Sequence, residues 1–197
     1  MTCERHEITR ADIMDMAEYA KVRDARRKAV TEMKKNRRVH VGPDPTAYFE
    51  NYDTMWHQIH EMLRIEQGGE AQIEDELRAY NPLIPKGREL VATLMFEIDD
   101  PVRRDRLLSV LGGVEHAVTL AIGTEIVSAV PEDDVERTTA EGKASSIQFL
   151  HFPLTDLQAE AFKGSDVDVV LAIDHAAYGH MAKLPPAVRQ ALAGDLD

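Results

Sequence analysis

Apolar residues recur along the chain with two periods, and the change between them marks where helices give way to strands. Thr9 followed by Asp12 reads as a helix N-cap with an acidic first turn, and Ile13, Met16, Ala17, Ala20 and Val22 make a partial apolar stripe. From Arg38 the period shortens. Val39 and Val41 alternate with polar neighbours, Gly42-Pro43-Asp44-Pro45 is a dense turn signal, and Tyr48-Phe49 has strand composition, which predicts two short strands joined by a loop. Asn51 or Asp53 then caps a helix through Met55, Ile59, Met62, Leu63 and Ile65 that stops at Gly68-Gly69. A shorter helix, Gln72 to Tyr80, ends before Pro82, because the residue ahead of a proline avoids helical angles.

The second half reads as strands with two intervening helices. Leu90 to Ile98, Val118 to Ile122, Glu125 to Val130, Ile147 to Phe152 and Val167 to Ile173 have strand composition. Asp100-Pro101 opens a helix that Gly112-Gly113 closes, and Thr155 with Gln158 forms a capping box for another that Gly164 closes. Gly123-Thr124 between two strands predicts a tight hairpin, so at least part of the sheet is antiparallel. The pattern predicts an α+β fold in which N-terminal helices and a short β-hairpin lead into a largely antiparallel or mixed sheet with flanking helices. One domain spans residues 1–197, with a helical part over 1–85 and a sheet-rich part over 86–184. The acidic stretch Pro131 to Gly142 has little apolar anchor and reads as a mobile loop.

Charge and composition narrow the function classes. The 197 residues carry 23 Lys and Arg against 35 Asp and Glu, a formal net charge of −12, which argues against a duplex-binding protein and against an anionic membrane surface. No apolar run approaches the ~20 residues that span a bilayer, and the first ten residues hold no apolar signal core, so a cytoplasmic protein is expected. The lone cysteine, Cys3, makes neither an internal disulfide nor a Cys-rich metal site and is a poor nucleophile in a fraying terminus. The basic excess lies in residues 1–41, where Arg23, Arg26, Arg27, Lys28, Lys34, Lys35, Arg37 and Arg38 cluster. That asymmetry folds back onto the acidic remainder or steers an acidic partner.

Two segments carry candidate chemistry. In YFENYDTMWHQIHEMLRIE, residues 48–66, a helical wheel gathers Met55, Ile59, Met62 and Leu63 on one face and puts Gln58 and Glu61 at its border. Glu66 projects near the middle of that face, where a carboxylate must be paired, protonated or bound to a cation. His57, His60 and Arg64 fall on the outer side. His57, His60 and Glu61 have ligand-like spacing but do not match the zinc-protease HExxH motif, so a solvated face with two histidines is the expectation. In VVLAIDHAAYGH, residues 169–180, a strand ends at Asp174-His175, and Tyr178 follows in a turn, with His180 expected to be exposed. Two readings of His175 stand: a metal ligand through neutral imidazole, or a satisfied histidine at a sheet edge. His40, His116 and His151 read as packed or surface imidazoles. Nucleophile elbows, Walker loops and dinucleotide fingerprints are absent from the sequence.

The blocks ITRADIMDMAEYAKVR, RRVHVGP, YFEN, TMWHQIHEMLRIE, AYNPLIP, SSIQFLHFPLT and IDHAAYGH together resemble an uncharacterised bacterial family of unknown function. The likeness runs from Ile8 to about His180. Its members are often encoded beside rubrerythrin and an iron–sulfur oxidoreductase subunit of the heterodisulfide-reductase type, which implies a redox or peroxide-stress setting by association. The matching polar positions are Glu50, Thr54, Gln58, Glu61, Glu66, Asn81, His175 and Tyr178. His57 and His60 lie outside the pattern, and Ala176 stands where the family often has proline. Three functions follow as expectations. The first is a non-haem metal site, iron or another divalent ion, built from Glu61, His175 and one or both of Glu50 and Glu66, with Gln58 and Tyr178 behind them. The second is a non-catalytic interaction subunit docking an oxidoreductase partner, the iron–sulfur subunit or rubrerythrin. The third is a small-molecule enzyme with His175 as base and Tyr178 as proton donor. Whether the protein is an enzyme is left open.

Overall fold

The computed structural model describes residues 6–132, 137–140, 142–164 and 166–197. Among the described residues, six α-helices and nine strands form two antiparallel sheets and a helical layer. Helices α1 (Met16–Lys34), α2 (Tyr52–Glu66) and α3 (Gly69–Tyr80) come from the first part of the chain, and α4 (Pro101–Leu108), α5 (Asp156–Lys163) and α6 (Pro186–Ala193) from the second.

The first sheet has the order β1 (Arg38–His40), β2 (Pro45–Phe49), β3 (Glu89–Phe96), β7 (Ile147–Pro153), β6 (Val130–Pro131). The second runs β5 (Glu125–Ser128), β4 (Val118–Ile122), β8 (Val169–His175), β9 (Tyr178–Lys183). Every pairing is antiparallel, as the hairpin signals require. Along β3 the alternation of side chains decides what each face packs against. Leu90, Ala92, Leu94 and Phe96 join Phe49, Leu150, Phe152 and the buried residues of β4 and β8 in the larger core. Val91 faces the other way, into a second cluster with Tyr19, Tyr52, Met55, Trp56, Ile59 and Leu63 under the helical layer.

Local signals place most of these elements. Asn51 caps α2 by accepting from the Thr54 N–H while the Thr54 hydroxyl accepts from the Asn51 N–H, a reciprocal box. Thr155 and Gln158 do the same for α5, and Asp100 caps α4. Gly123 turns the β4–β5 hairpin with φ +60°, an angle a side chain disfavours.

The structure corrects the sequence reading at several places. Thr9 and Asp12 close only a 3-10 turn at Arg10–Asp12, and the long helix starts later, at Met16, with Asp15 as its cap. Tyr178 and His180 belong to strand β9, joined to β8 across Ala176-Ala177, instead of to a turn. Helix α6 was not anticipated, and the sheet is two sheets. The acidic stretch predicted as a loop lies in part outside the described residues, as does Cys3. Among the described residues, no helix is long and apolar enough to cross a membrane.

Candidate functional site

Helices α1 and α2 bury a polar network around Glu61. Arg23 donates from Nε and one terminal nitrogen to the two Glu61 oxygens at 2.8 and 2.7 Å, a two-pronged geometry that suits a guanidinium and a carboxylate. The Tyr19 hydroxyl donates to Glu61 Oε1 at 2.8 Å and accepts from His57 Nδ1 at 3.1 Å. Arg64 reaches the same carboxylate only at 3.6 Å. The Arg23 guanidinium, helped by Tyr19 and opposed by burial, lowers the Glu61 pKa to about 2. Burial together with Glu61 raises that of Tyr19, and burial lowers that of His57.

His60 sits one turn away and is fully buried, 0% exposed. Its Nδ1–H donates to the Trp56 carbonyl at 2.7 Å, and its Nε2 accepts from the Met14 N–H at 3.1 Å, which fixes the neutral tautomer. Burial accordingly lowers its pKa. The ring lies between Trp56 and Tyr19, with centroids 3.7 and 4.8 Å away. The expectation that His57 and His60 face solvent is therefore corrected. Helix α2 is covered on two sides, by the sheet face bearing Val91 and by α1 with the segment preceding it, so an apolar stripe of one width underestimates its burial.

The other predicted residues have separate partners. Glu50 is 6% exposed and accepts from the Thr93 hydroxyl at 2.8 Å, leaving Oε2 buried without a hydrogen bond. Gln58 lies beside the Tyr80 hydroxyl, where it opposes the upward push of burial on that pKa. Glu66, expected within the apolar face, is exposed at the end of α2 and accepts from Gln72 at 3.1 Å. Asn81 clamps the N-terminal segment, bonding the Ile8 N–H at 2.7 Å and the Ile8 carbonyl at 2.9 Å. His175 ends β8, with Nε2 donating to the Gly112 carbonyl and Nδ1 accepting from the Ala177 N–H, both at 3.2 Å. The Tyr178 hydroxyl donates to the Val41 carbonyl at 2.9 Å and accepts from the Asp44 N–H at 3.3 Å. It pins the β1–β2 loop so closely that a Cβ on Gly42 would lie 2.6 Å from it.

Glu61 and His175 thus belong to elements of different cores, each engaged by its own neighbours. A cation at Glu61 would have to displace a guanidinium, and one at His175 would have to displace a backbone N–H. Among the described residues, no three His, Cys, Asp or Glu side chains form a group able to hold a metal ion.

Sequence reasoning missed two polar sites. His151 on β7 accepts or donates at both ring nitrogens, to Glu89 at 2.9 Å and to Glu132 at 2.6 Å. Burial opposes its charge, yet Glu89 and Glu132 together raise its pKa. Arg37 is buried and donates to the Phe49 and Glu50 carbonyls and to both Asp195 oxygens, which ties the C-terminal residues to the start of the first sheet. The signal for the first was the alternation that places Glu89 and His151 near one another across β3 and β7; for the second there was none, because the partners lie 158 residues apart.

The fold and this network define an α+β protein whose helical layer is held by a partly buried Arg–Glu–Tyr cluster. The chain belongs to the DUF3501 family, described as a protein of unknown function, whose profile matches residues 7–196. It is similar to a protein of unknown function from Burkholderia pseudomallei K96243, known from a crystal structure, with 37% sequence identity and a TM-score of 0.88. The alignment covers 96% of this chain and 99% of that one. No curated protein matches.

Proposed function

We propose that the protein is a non-catalytic interaction subunit that docks an acidic partner on the outer face of α1. The reading rests on one observation: of the 19 residues of α1 only Tyr19 and Val30 are buried, and the helix exposes Arg26, Arg27, Lys28 and other cations on a chain of net charge −12. A helix this polar gains little from its own core, and a cationic face on an anionic molecule attracts an acidic surface at long range. Arg23 and Arg37 are spent internally on Glu61 and Asp195, whereas Arg27 and Lys28 border an open groove along the helix. The partner suggested by the family likeness is the iron–sulfur oxidoreductase subunit, with rubrerythrin as the second choice. Co-purification of each with this protein tests the reading. Binding at low salt, weakened about tenfold by the pair R27E and K28E and lost as salt rises, is expected of rim charges. Absence of binding at low salt to both would end it.

A metal-binding reading, iron in a redox or peroxide-stress setting, is favoured by Glu50 alone, whose buried Oε2 lacks a hydrogen-bond partner. A divalent ion or a water would satisfy that oxygen. Metal analysis of untagged protein tests it: stoichiometric metal that falls in Glu50→Gln supports the reading, and metal unaffected by that change removes it.

A further inference from the structure

A cleft of about 540 Å³ opens where the segment before α1 crosses the end of α2 and the start of α3. Its size falls within the range of small-molecule sites. Met14, Met16, Leu63 and Ile73 give it apolar lining, and Arg64 on α2 and Gln67, which caps that helix, are polar lining at its end. The walls are held in place before any ligand arrives. Trp56 Nε1 donates to the Asp12 carbonyl at 2.9 Å, the Met14 N–H is fixed on the buried His60, and Arg10 bridges to Glu70 on α3.

Two features of this cleft bear on what it could hold, beyond the part each plays at the end of α2, where Gln67 caps the helix on the Leu63 carbonyl. Arg64 is the outer and looser cation of Glu61: Arg23 already bonds both of its oxygens, and Arg64 pairs with that carboxylate only at 3.6 Å, which leaves guanidinium donors unused. Its Nε–H is buried without a hydrogen-bond partner, and its side chain remains 41% exposed. Gln67 adopts φ +55°, the only described residue other than glycine with positive φ, although Gly68 stands next to it. A left-handed residue at a helix end is ordinarily glycine or asparagine, and strain of this kind is kept where the side chain is needed.

We propose that this cleft binds a small organic carboxylate with an apolar body, its carboxylate on Arg64 and Gln67 and its chain over Met14, Met16, Leu63 and Ile73. The other charges lining the cleft are already used: Arg10 pairs with Glu70, and Asp15 caps α1. A guanidinium with spare donors selects a carboxylate, and the methionines accommodate an apolar chain of variable shape. The site is independent of the docking face on α1.

Decanoate titrated into the full chain, followed by calorimetry and by amide chemical shifts of residues 60–73, tests the proposal, with decanol as the uncharged comparison. Saturable binding of decanoate at one site is expected, with decanol weaker. Arg64→Gln should weaken decanoate about tenfold, the size of one charge-assisted contact, with Arg78→Gln, outside the cleft, unchanged. Gln67→Gly should lower affinity while raising the thermal midpoint by about 2 °C through relief of strain, a pairing that misfolding cannot produce. Absence of saturable binding to the wild-type chain, equal affinity for decanol, or equal affinity in folded Arg64→Gln would overturn it.

Discussion

His60 is fully buried and His151 partly so, yet their surroundings drive them in opposite directions. His60, in the helical layer, meets a carbonyl and a backbone N–H, so one nitrogen donates and the other accepts and the neutral ring satisfies both. His151, in the first sheet, meets two carboxylates, and only the protonated ring donates to both. Burial acts on each, but at His60 it outweighs the Trp56 carbonyl and the more distant Glu61 and the pKa falls, whereas at His151 Glu89 and Glu132 outweigh it and the pKa rises. Partners, more than depth, set the charge of a histidine in this fold.

Perturbing a charge pair that cannot switch gives the upper limit for these effects. Arg37 and Asp195 are nearly inaccessible, at 4% and 9% side-chain exposure, and burial raises the Asp195 pKa even beside the guanidinium. Arg37→Ala should cost about 3–5 kcal/mol in chemical denaturation, because it strands a buried carboxylate and two carbonyls. His60→Ala comes next, at about 2–4 kcal/mol, since it opens a cavity between Trp56 and Tyr19 and leaves the Met14 N–H and the Trp56 carbonyl without partners. A loss below about 1 kcal/mol in His60→Ala would mean that the ring is not packed as described.

His151→Gln sharpens the comparison through its pH dependence. The folded pKa of His151 lies above its unfolded value, so its stabilisation is fully present below the unfolded pKa of about 6.5 and is lost as pH rises through the folded pKa. The gap in stability between wild type and His151→Gln should therefore be wider at about pH 5.5 than at about pH 8. His60 works the other way: with a folded pKa below about 6.5, it penalises folding progressively as pH falls below that value. The smallest effect is expected at Glu66→Gln, whose carboxylate accepts from Gln72 at an exposed helix end, within about 0.5 kcal/mol in the same denaturation series.

How far the sequence could be read follows the range of the interactions. Local chemistry was legible: Asn51 and Thr155 as caps, Gly123 as a hairpin turn, and the strands of the second half, whereas Gly68-Gly69, expected to stop α2, instead opens α3 after Gln67 has capped α2. The α+β class followed from that order of elements. Less legible was anything depending on what lies across from an element. A single helical wheel for α2 placed His60 outside because it assumed one buried side, and Trp56, a large ring on the same side one turn earlier, was the sign that a second layer covers it. Pro185 and Gly194 flank α6, and Pro186 opens it, which are local start and stop signals for a helix this short. At the candidate site, Glu61 was correctly placed on the border of the buried face. Its partners, Tyr19 and Arg23, lie 42 and 38 residues away on a helix whose approach no periodicity encodes.

Glu61 is committed to Arg23 and Tyr19 as a clamp between α1 and α2. Carboxyl ¹³C titration of that residue tests this most directly. A midpoint near 2, as the Arg23 guanidinium dictates, is the predicted result. A midpoint at the ordinary value of 4.5 or above would show a carboxylate free of the guanidinium, and would contradict the structural role assigned to it here.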